Sequence, residues 1–459
     1  MTPTTLRTTA ALFLFSLLTF AALTPQDPQN AQAVSRFALT LSIVERGTIE
    51  ISPFAPYTID KSAYGTRRYT DKPPGHPFLA VPGAVAAQRL FGPLGDSVDP
   101  STASFRRHIA ATTVLTNGVI SAAAVVMLFL VALRLGATRE GALFGAVSLA
   151  AATPFLGWST AFFAHSVTAS MLAFGFGWIV IAFTGPPPRP RPVPAAALLG
   201  LLLGYTLVVD LTAAPLVAVA GLCALAAARQ KPWREAAATA AALAGGGAIG
   251  LAPLLAYNQF AFDSPFRLGY AAVVGFEGMR TGFFGIAWPD PEVALELVFG
   301  LYRGLLPVSP VLALVPLGVW RLWRRRELRP AAAVIVLAFA IHLCINAGYH
   351  YWDGGWSTGP RHMTAALPFL AMALAFAWPN RMRGVSLALL AVSAAISLAC
   401  AAASMFSPED VGFPLLEYVL PNLLRPGVPV RLAVALAIWA VALLVWQRSA
   451  ARSARPSIA

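Results

Sequence analysis

The sequence predicts an all-α polytopic membrane protein with about twelve transmembrane helices and a long first outer loop carrying interfacial helices. Three observations predict it. Hydrophobic residues make up 57% of the chain and charged ones only 12%, with a mean hydropathy of +0.67, whereas soluble domains carry about a quarter charged residues. The apolar residues fall in runs of the length that crosses a bilayer. The third observation is how the charge is distributed between alternate connections.

The runs are 8–24, 109–133, 141–158, 162–184, 193–209, 212–228, 236–256, 304–320, 330–347, 363–379, 384–405 and 430–447. The first could instead be a secretory signal ending near Ala21-Ala22-Leu23, which leaves residue 25 on the same side. Arg7, Arg134, Arg139, Arg189, Arg191, Arg229, Lys231, Arg234, Arg321, Arg324, Arg325, Arg326, Arg329, Arg381, Arg383, Arg448, Arg452 and Arg455 all fall on one face. These are 18 of the 33 basic residues, with only Glu140, Glu235 and Glu327 beside them, so the positive-inside rule makes that face cytoplasmic. Both termini are then cytoplasmic, and the chain is expected in the cell's inner or plasma membrane as a single integral domain, 1–459. The same rule explains the net charge of +13 without nucleic acid, since no basic run is interleaved with aromatics. Cys223, Cys344 and Cys400 lie inside apolar runs and read as packing residues.

Outer connections 25–108, 257–303, 348–362 and 406–429 are long, and long loops in compact proteins tend to be functional. Within the first, Val34, Phe37, Leu41 and Val44 recur at helical spacing with Ser35, Arg36, Ser42 and Arg46 elsewhere, which predicts an interfacial helix over 31–46. Residues 77–91 are apolar but short and contain Pro82, so they read as a second interfacial or re-entrant helix. The Pro-rich run 185–192 reads as a stiff connector, and the Ala/Gly-rich run 236–250 as a surface for close helix packing.

Most of the motifs lie in the outer loops. Tyr69-Thr70-Asp71-Lys72-Pro73-Pro74 follows the predicted amphipathic helix. Later come Tyr257-Asn258, Asp263-Ser264-Pro265-Phe266, Gly269-Tyr270, Arg303-Gly304-Leu305-Leu306, Ser309-Pro310, Trp352-Asp353-Gly354-Gly355-Trp356-Ser357 and Gly359-Pro360-Arg361. With these elements the chain resembles the glycosyltransferase C superfamily, near the lipid A aminoarabinose transferases and the protein O-mannosyltransferases, as a bacterial branch of it. The resemblance covers most of the chain at low stringency, and the Lys-Pro-Pro and Gly-Pro-Arg elements are its most specific parts.

The resemblance implies a glycosyltransferase that moves a sugar from a polyprenyl-phosphate donor to a hydroxyl acceptor, with inversion, outside the membrane. Its partners would be that donor, a glycan, lipid or protein acceptor, and membrane lipids. The reaction needs a carboxylate as general base and fixed cations for the leaving phosphate. In the family the base belongs to an Asp-Glu pair after the first span, but Ala33-Val34 stands at the matching place here. Asp27 is the nearest carboxylate and the first candidate, with Asp71 and Asp60 as substitutes; capping or a loop ion pair are their structural readings. Lys72, held extended by two prolines, and Arg361 are the candidate phosphate ligands. Arg67 and Arg68 could serve likewise or meet bulk anionic lipid.

Trp352, Asp353, Trp356 and Tyr69, with His165, are candidates for a glycan or acceptor pocket; the aromatic belt is the competing account of the tryptophans. His76, His108, His165, His350 and His362 fall near the outer boundary without ligand spacing on one helix, so neither metal nor another cofactor is expected. A lipid-linked transporter or flippase, or a non-catalytic envelope assembly protein, is the alternative function. A carrier should show two related halves and midplane charges. Residues 1–228 and 229–459 show no repeat, and the charges cluster at the outer boundary.

Overall fold

The computed structural model describes residues 2–25, 30–95, 98–184, 191–273, 276–378 and 382–453. Asp27, the first candidate for the base, and connector residues 185–190 lie outside these.

The chain is a helical, multi-pass membrane protein. Among the described residues nine helices are long and apolar enough to cross a bilayer: Pro3–Leu23, Ala103–Arg134, Ala164–Thr184, Pro192–Val209, Leu211–Ala228, Trp233–Phe262, Arg326–Ala347, Arg383–Ala403 and Val428–Val445. The three other expected spans are helical but interrupted. The run 141–158 is split into Arg139–Ala151 and Phe155–Ser159 before Pro154. The run 304–320 becomes Leu305–Val308, a 3-10 turn over Pro310–Leu314, and Val315–Arg324. The run 363–379 opens with a 3-10 turn, Arg361–Ala366, and continues as Leu367–Ala377. Proline lacks the amide hydrogen and clashes with the preceding turn, which accounts for breaks at Pro154 and Pro310.

The Ala/Gly-rich helix Trp233–Phe262 packs directly on Pro192–Val209. A Cβ at Gly200 or Gly246 would collide with the facing backbone, so the two helices approach as only small residues allow.

The first outer loop holds both expected helices, Ala31–Arg46 and Gly75–Phe91, and a short antiparallel hairpin, Ser62–Tyr64 with Arg67–Tyr69. The first helix is not half exposed as its pattern predicts. Its run from Gln32 to Ser42 is buried on all faces. Phe37 meets Phe105 and Phe162 edge-on at 5.2 and 5.3 Å. On another face Ser35 Oγ shares a hydrogen bond with Thr70 Oγ1 at 2.8 Å, and Thr40 Oγ1 donates to the Pro77 carbonyl at 3.1 Å. Part of the polar face thus bonds to the segment 70–77, through Thr70, Pro73 and Pro77, and fixes that segment in place.

Candidate active site

Lys72 lies between two carboxylates. Its Nζ is 2.7 Å from Asp60 Oδ1 and 2.7 Å from Asp71 Oδ2. Asp60 arrives from the turn before the hairpin, where its amide donates to Thr58 Oγ1, and Asp71 and Lys72 leave the hairpin's second strand. Pro73 and Pro74 follow, and Gly75 then starts the next helix against the Val208–Val209 backbone, where a Cβ would collide. Tyr205 Oη donates to the Gly75 carbonyl at 3.0 Å and ties the same turn to a span.

The side chain of Asp71 is 1% exposed and that of Asp60 8%. Burial pushes the Asp71 carboxyl above its ordinary value, Lys72 pulls it back and Asp60 adds to the rise. For Lys72 burial works against the charge, but Asp71 and Asp60 outweigh it and hold the ammonium above the usual lysine range.

Two more cations face this cluster. Arg36, buried in the helix below, donates to the Pro73 carbonyl at 3.5 Å and feels the charges of Asp210, Asp71 and Asp60. Arg361, from the Gly-Pro-Arg turn, feels Tyr349, Asp60 and Asp353, yet no carboxylate among the described residues lies within ion-pair distance of it. Its side chain passes under Gly354, whose φ is +75°, and a Cβ there would sit 3.0 Å from Arg361 Cγ and Nε. Lys72, His165, Tyr270, Tyr349, Arg361 and His362 are all partly exposed and act on one another through their charges, so this cluster, called the recess below, is open to solvent rather than sealed in the core. Lys72 also lies over the Phe276 ring at 5.6 Å, and His362 is edge-on to His165 at 5.5 Å and to Tyr349 at 5.4 Å.

The recess therefore collects Asp60, Asp71, Lys72, Arg361 and His165 from the residues expected by sequence. Others of that set stand elsewhere. Arg67 is exposed and 3.9 Å from Glu50. Arg68 donates to the Gly65 and Arg67 carbonyls. Tyr69 is 2% exposed and packs on Phe262 with ring centroids at 5.6 Å, as a core residue does. Trp352 meets Tyr302, Asp353 acts on Arg361 through its charge, and Trp356 is 48% exposed. Arg36, Asp210, Tyr270 and His362 join the site without having been singled out for it. Asp210 caps the outer end of a span, and its charge acts on Arg36 and Tyr270. Among the described residues no three His, Cys, Asp or Glu side chains are grouped to hold a metal ion.

Arg303 supports the Arg361 loop from beneath. Fully buried, it donates from Nε to the Asp353 carbonyl at 2.8 Å and from Nη2 to the Gly355 carbonyl at 2.9 Å, and stacks on Tyr302 at 3.9 Å.

The course of the whole chain matches that of a solved transferase. ArnT from Cupriavidus metallidurans, crystallised with undecaprenyl phosphate, aligns over 94% of this chain and 75% of its own, with a TM-score of 0.56 and 14% identity. The chain has the ArnT fold. The oligosaccharyltransferase AglB from Archaeoglobus fulgidus, solved with an inhibitory peptide and a dolichol-phosphate, aligns over 93% of this chain and 55% of its own at 11% identity and a TM-score of 0.44. No protein-family model and no curated protein matches the sequence. In this ArnT-like fold the cluster lies where the long first outer loop comes near the loop 348–362, since the charges of Lys72 and Asp71 act on Tyr349.

Proposed function

We propose that the protein is a membrane glycosyltransferase moving a sugar from a polyprenyl-phosphate donor to a hydroxyl acceptor on the extracytoplasmic side of the plasma membrane, with inversion. The observation that carries this reading is the Asp60–Lys72–Asp71 bridge facing Arg361 across one recess. Inverting transfer is a single displacement. The acceptor oxygen attacks the anomeric carbon, the bond to the phosphate oxygen breaks, and the electron pair leaves on the phosphate. The acceptor proton must go to a carboxylate at the moment of attack.

Asp60 fits the base. Lys72 holds one of its oxygens, and it is the less enclosed of the two acids. Asp71 keeps Lys72 charged and oriented. Arg361, with no carboxylate competing for it among the described residues, fits the leaving phosphate, and its planar fork suits two phosphate oxygens. Lys72 completes the phosphate site. ArnT was crystallised with undecaprenyl phosphate, which makes a lipid phosphate the first ligand to try.

Binding of undecaprenyl phosphate to the purified protein tests the reading. Arg361→Gln should weaken it by about tenfold or more, the worth of a charge-assisted bond, while Asp60→Asn should bind the lipid nearly as well and fail in transfer. Unchanged lipid affinity in Arg361→Gln, or full transfer by Asp60→Asn, overturns the corresponding assignment.

A further inference from the structure

A second concave site lies at the far end of the helix that begins with Arg361. From Arg361 to Trp378 the chain rises about 26 Å at the pitch of a helix, close to the thickness of a bilayer core, so this end opens on the opposite face. The cavity there has a volume of about 400 Å³ and is lined by Thr138, Trp320, Arg321, Arg324, Arg325 and Trp378, among others.

Three guanidinium groups and the start of a helix converge on it. Thr138 caps the 13-residue helix Arg139–Ala151, accepting from the Gly141 amide at 3.0 Å, so the positive end of that helix points at the cavity. Arg321 donates from Nη1 to the Phe376 and Ala377 carbonyls at 3.2 and 2.8 Å, which holds one wall in place. Arg324 stacks on Trp320 at 4.9 Å, and Arg325 Nη1 comes within 3.8 Å of where a Cβ on Gly136 would stand. The acid at the rim, Glu140, is engaged by Trp378 Nε1 at 3.0 Å and by Arg383 at 3.9 Å. No described carboxylate pairs with Arg324 or Arg325.

A basic belt that merely follows membrane orientation needs neither a cavity nor a helix start aimed into it. Here both accompany Arg324 and Arg325, which have no carboxylate partner among the described residues, and two indoles, Trp320 and Trp378, line the same cavity. We propose that this cavity is a binding site for a phosphodiester or phosphomonoester anion, separate from the transfer recess. The phosphate is delivered either by the headgroup of an anionic phospholipid or by a soluble phosphate ester.

Native mass spectrometry of the full-length protein tests this, with phosphatidylglycerol, phosphatidylcholine and glycerol 3-phosphate as probes. The expected result is one phosphatidylglycerol retained about tenfold better than phosphatidylcholine and lost in Arg324→Gln/Arg325→Gln, since each interfacial cation contributes measurably to anionic-lipid binding. Retention of glycerol 3-phosphate alone, with the same dependence on the two arginines, would support the site and assign it to a soluble ester. Equal retention of both lipids with no ester bound, or a double variant indistinguishable from wild type, would overturn it. Both arginines are exposed, so the variants should fold; the single variant Arg324→Gln and an unchanged affinity for undecaprenyl phosphate in the recess check that they do.

Discussion

Lys72 keeps its charge in a buried place only because Asp60 and Asp71 both touch it, and the dependence is mutual. Replacing it by methionine leaves two acids facing each other without a cation, and loss of one partner from a buried ion pair costs about 3 to 5 kcal/mol. Lys72→Met should therefore lower thermal stability in detergent, and Lys72→Met/Asp71→Asn, which removes one negative charge with the positive one, should recover part of that loss. A double variant no more stable than the single one would show that the bridge is not what the lysine stabilises. His76 offers a pH test at the same scale. Its Nε2 pairs with the Asn117 side chain at 2.9 Å, and burial, with Arg36 adding to it, pushes its pKa down to about 3. An unfolded histidine takes a proton below about 6.5, whereas the folded ring stays neutral. The unfolded chain thus binds the extra proton, and stability present above pH 6.5 is lost as pH falls, by about 2 kcal/mol at pH 5 from this ring. His76→Gln should flatten the fall in melting temperature between pH 7 and 5; an equally steep fall in the variant would reject His76 as its source.

The elements show what sequence pattern can and cannot carry. Apolar run length made the uninterrupted spans legible, because burial in lipid asks nothing else of a sequence. The interruptions at 152–154 and 309–310 were marked by Pro154 and Pro310, but an apolar run with proline reads equally well as a kinked helix. The helix Ala31–Arg46 was legible as a helix, while its all-round burial was not, since Ser35 and Thr40 find their partners in a segment some thirty-five residues away. The same limit governed the site. Lys72, Asp71 and Asp60 lie in one loop and could be read together, whereas Arg36, Asp210, Tyr270 and His362 meet them only through tertiary packing. Arg303 belongs to this class. It holds two carbonyls of the turn leading to Arg361, so Arg303→Met should free that turn. Binding of undecaprenyl phosphate should weaken by about tenfold while Lys72 and its acids stay in place. Unaltered binding would mean that Gly354 and its neighbours hold Arg361 without help.

At the scale of the whole molecule, the two ends of the helix Arg361–Ala377 carry different chemistry: acids and cations share the recess at one end, and arginines dominate the other. Such an asymmetry is what the membrane-insertion machinery reads when it retains Lys and Arg in the cytoplasm, and on that rule the proposed orientation is the recess outward with both termini inside. The orientation matters to the chemistry, because a sugar leaving a lipid phosphate on the outer face can meet only acceptors that have already crossed. Cysteine accessibility decides it. With Cys223, Cys344 and Cys400 replaced by alanine, Thr66→Cys at the exposed tip of the hairpin should react with a membrane-impermeant maleimide in intact cells. Gln230→Cys, in the exposed turn between Leu211–Ala228 and Trp233–Phe262, should react only after the membrane is opened. The reverse pattern would turn the recess toward the cytoplasm and exclude transfer to an exported acceptor, whereas labelling of both sites in intact cells would mean that an even number of crossings separates the two turns.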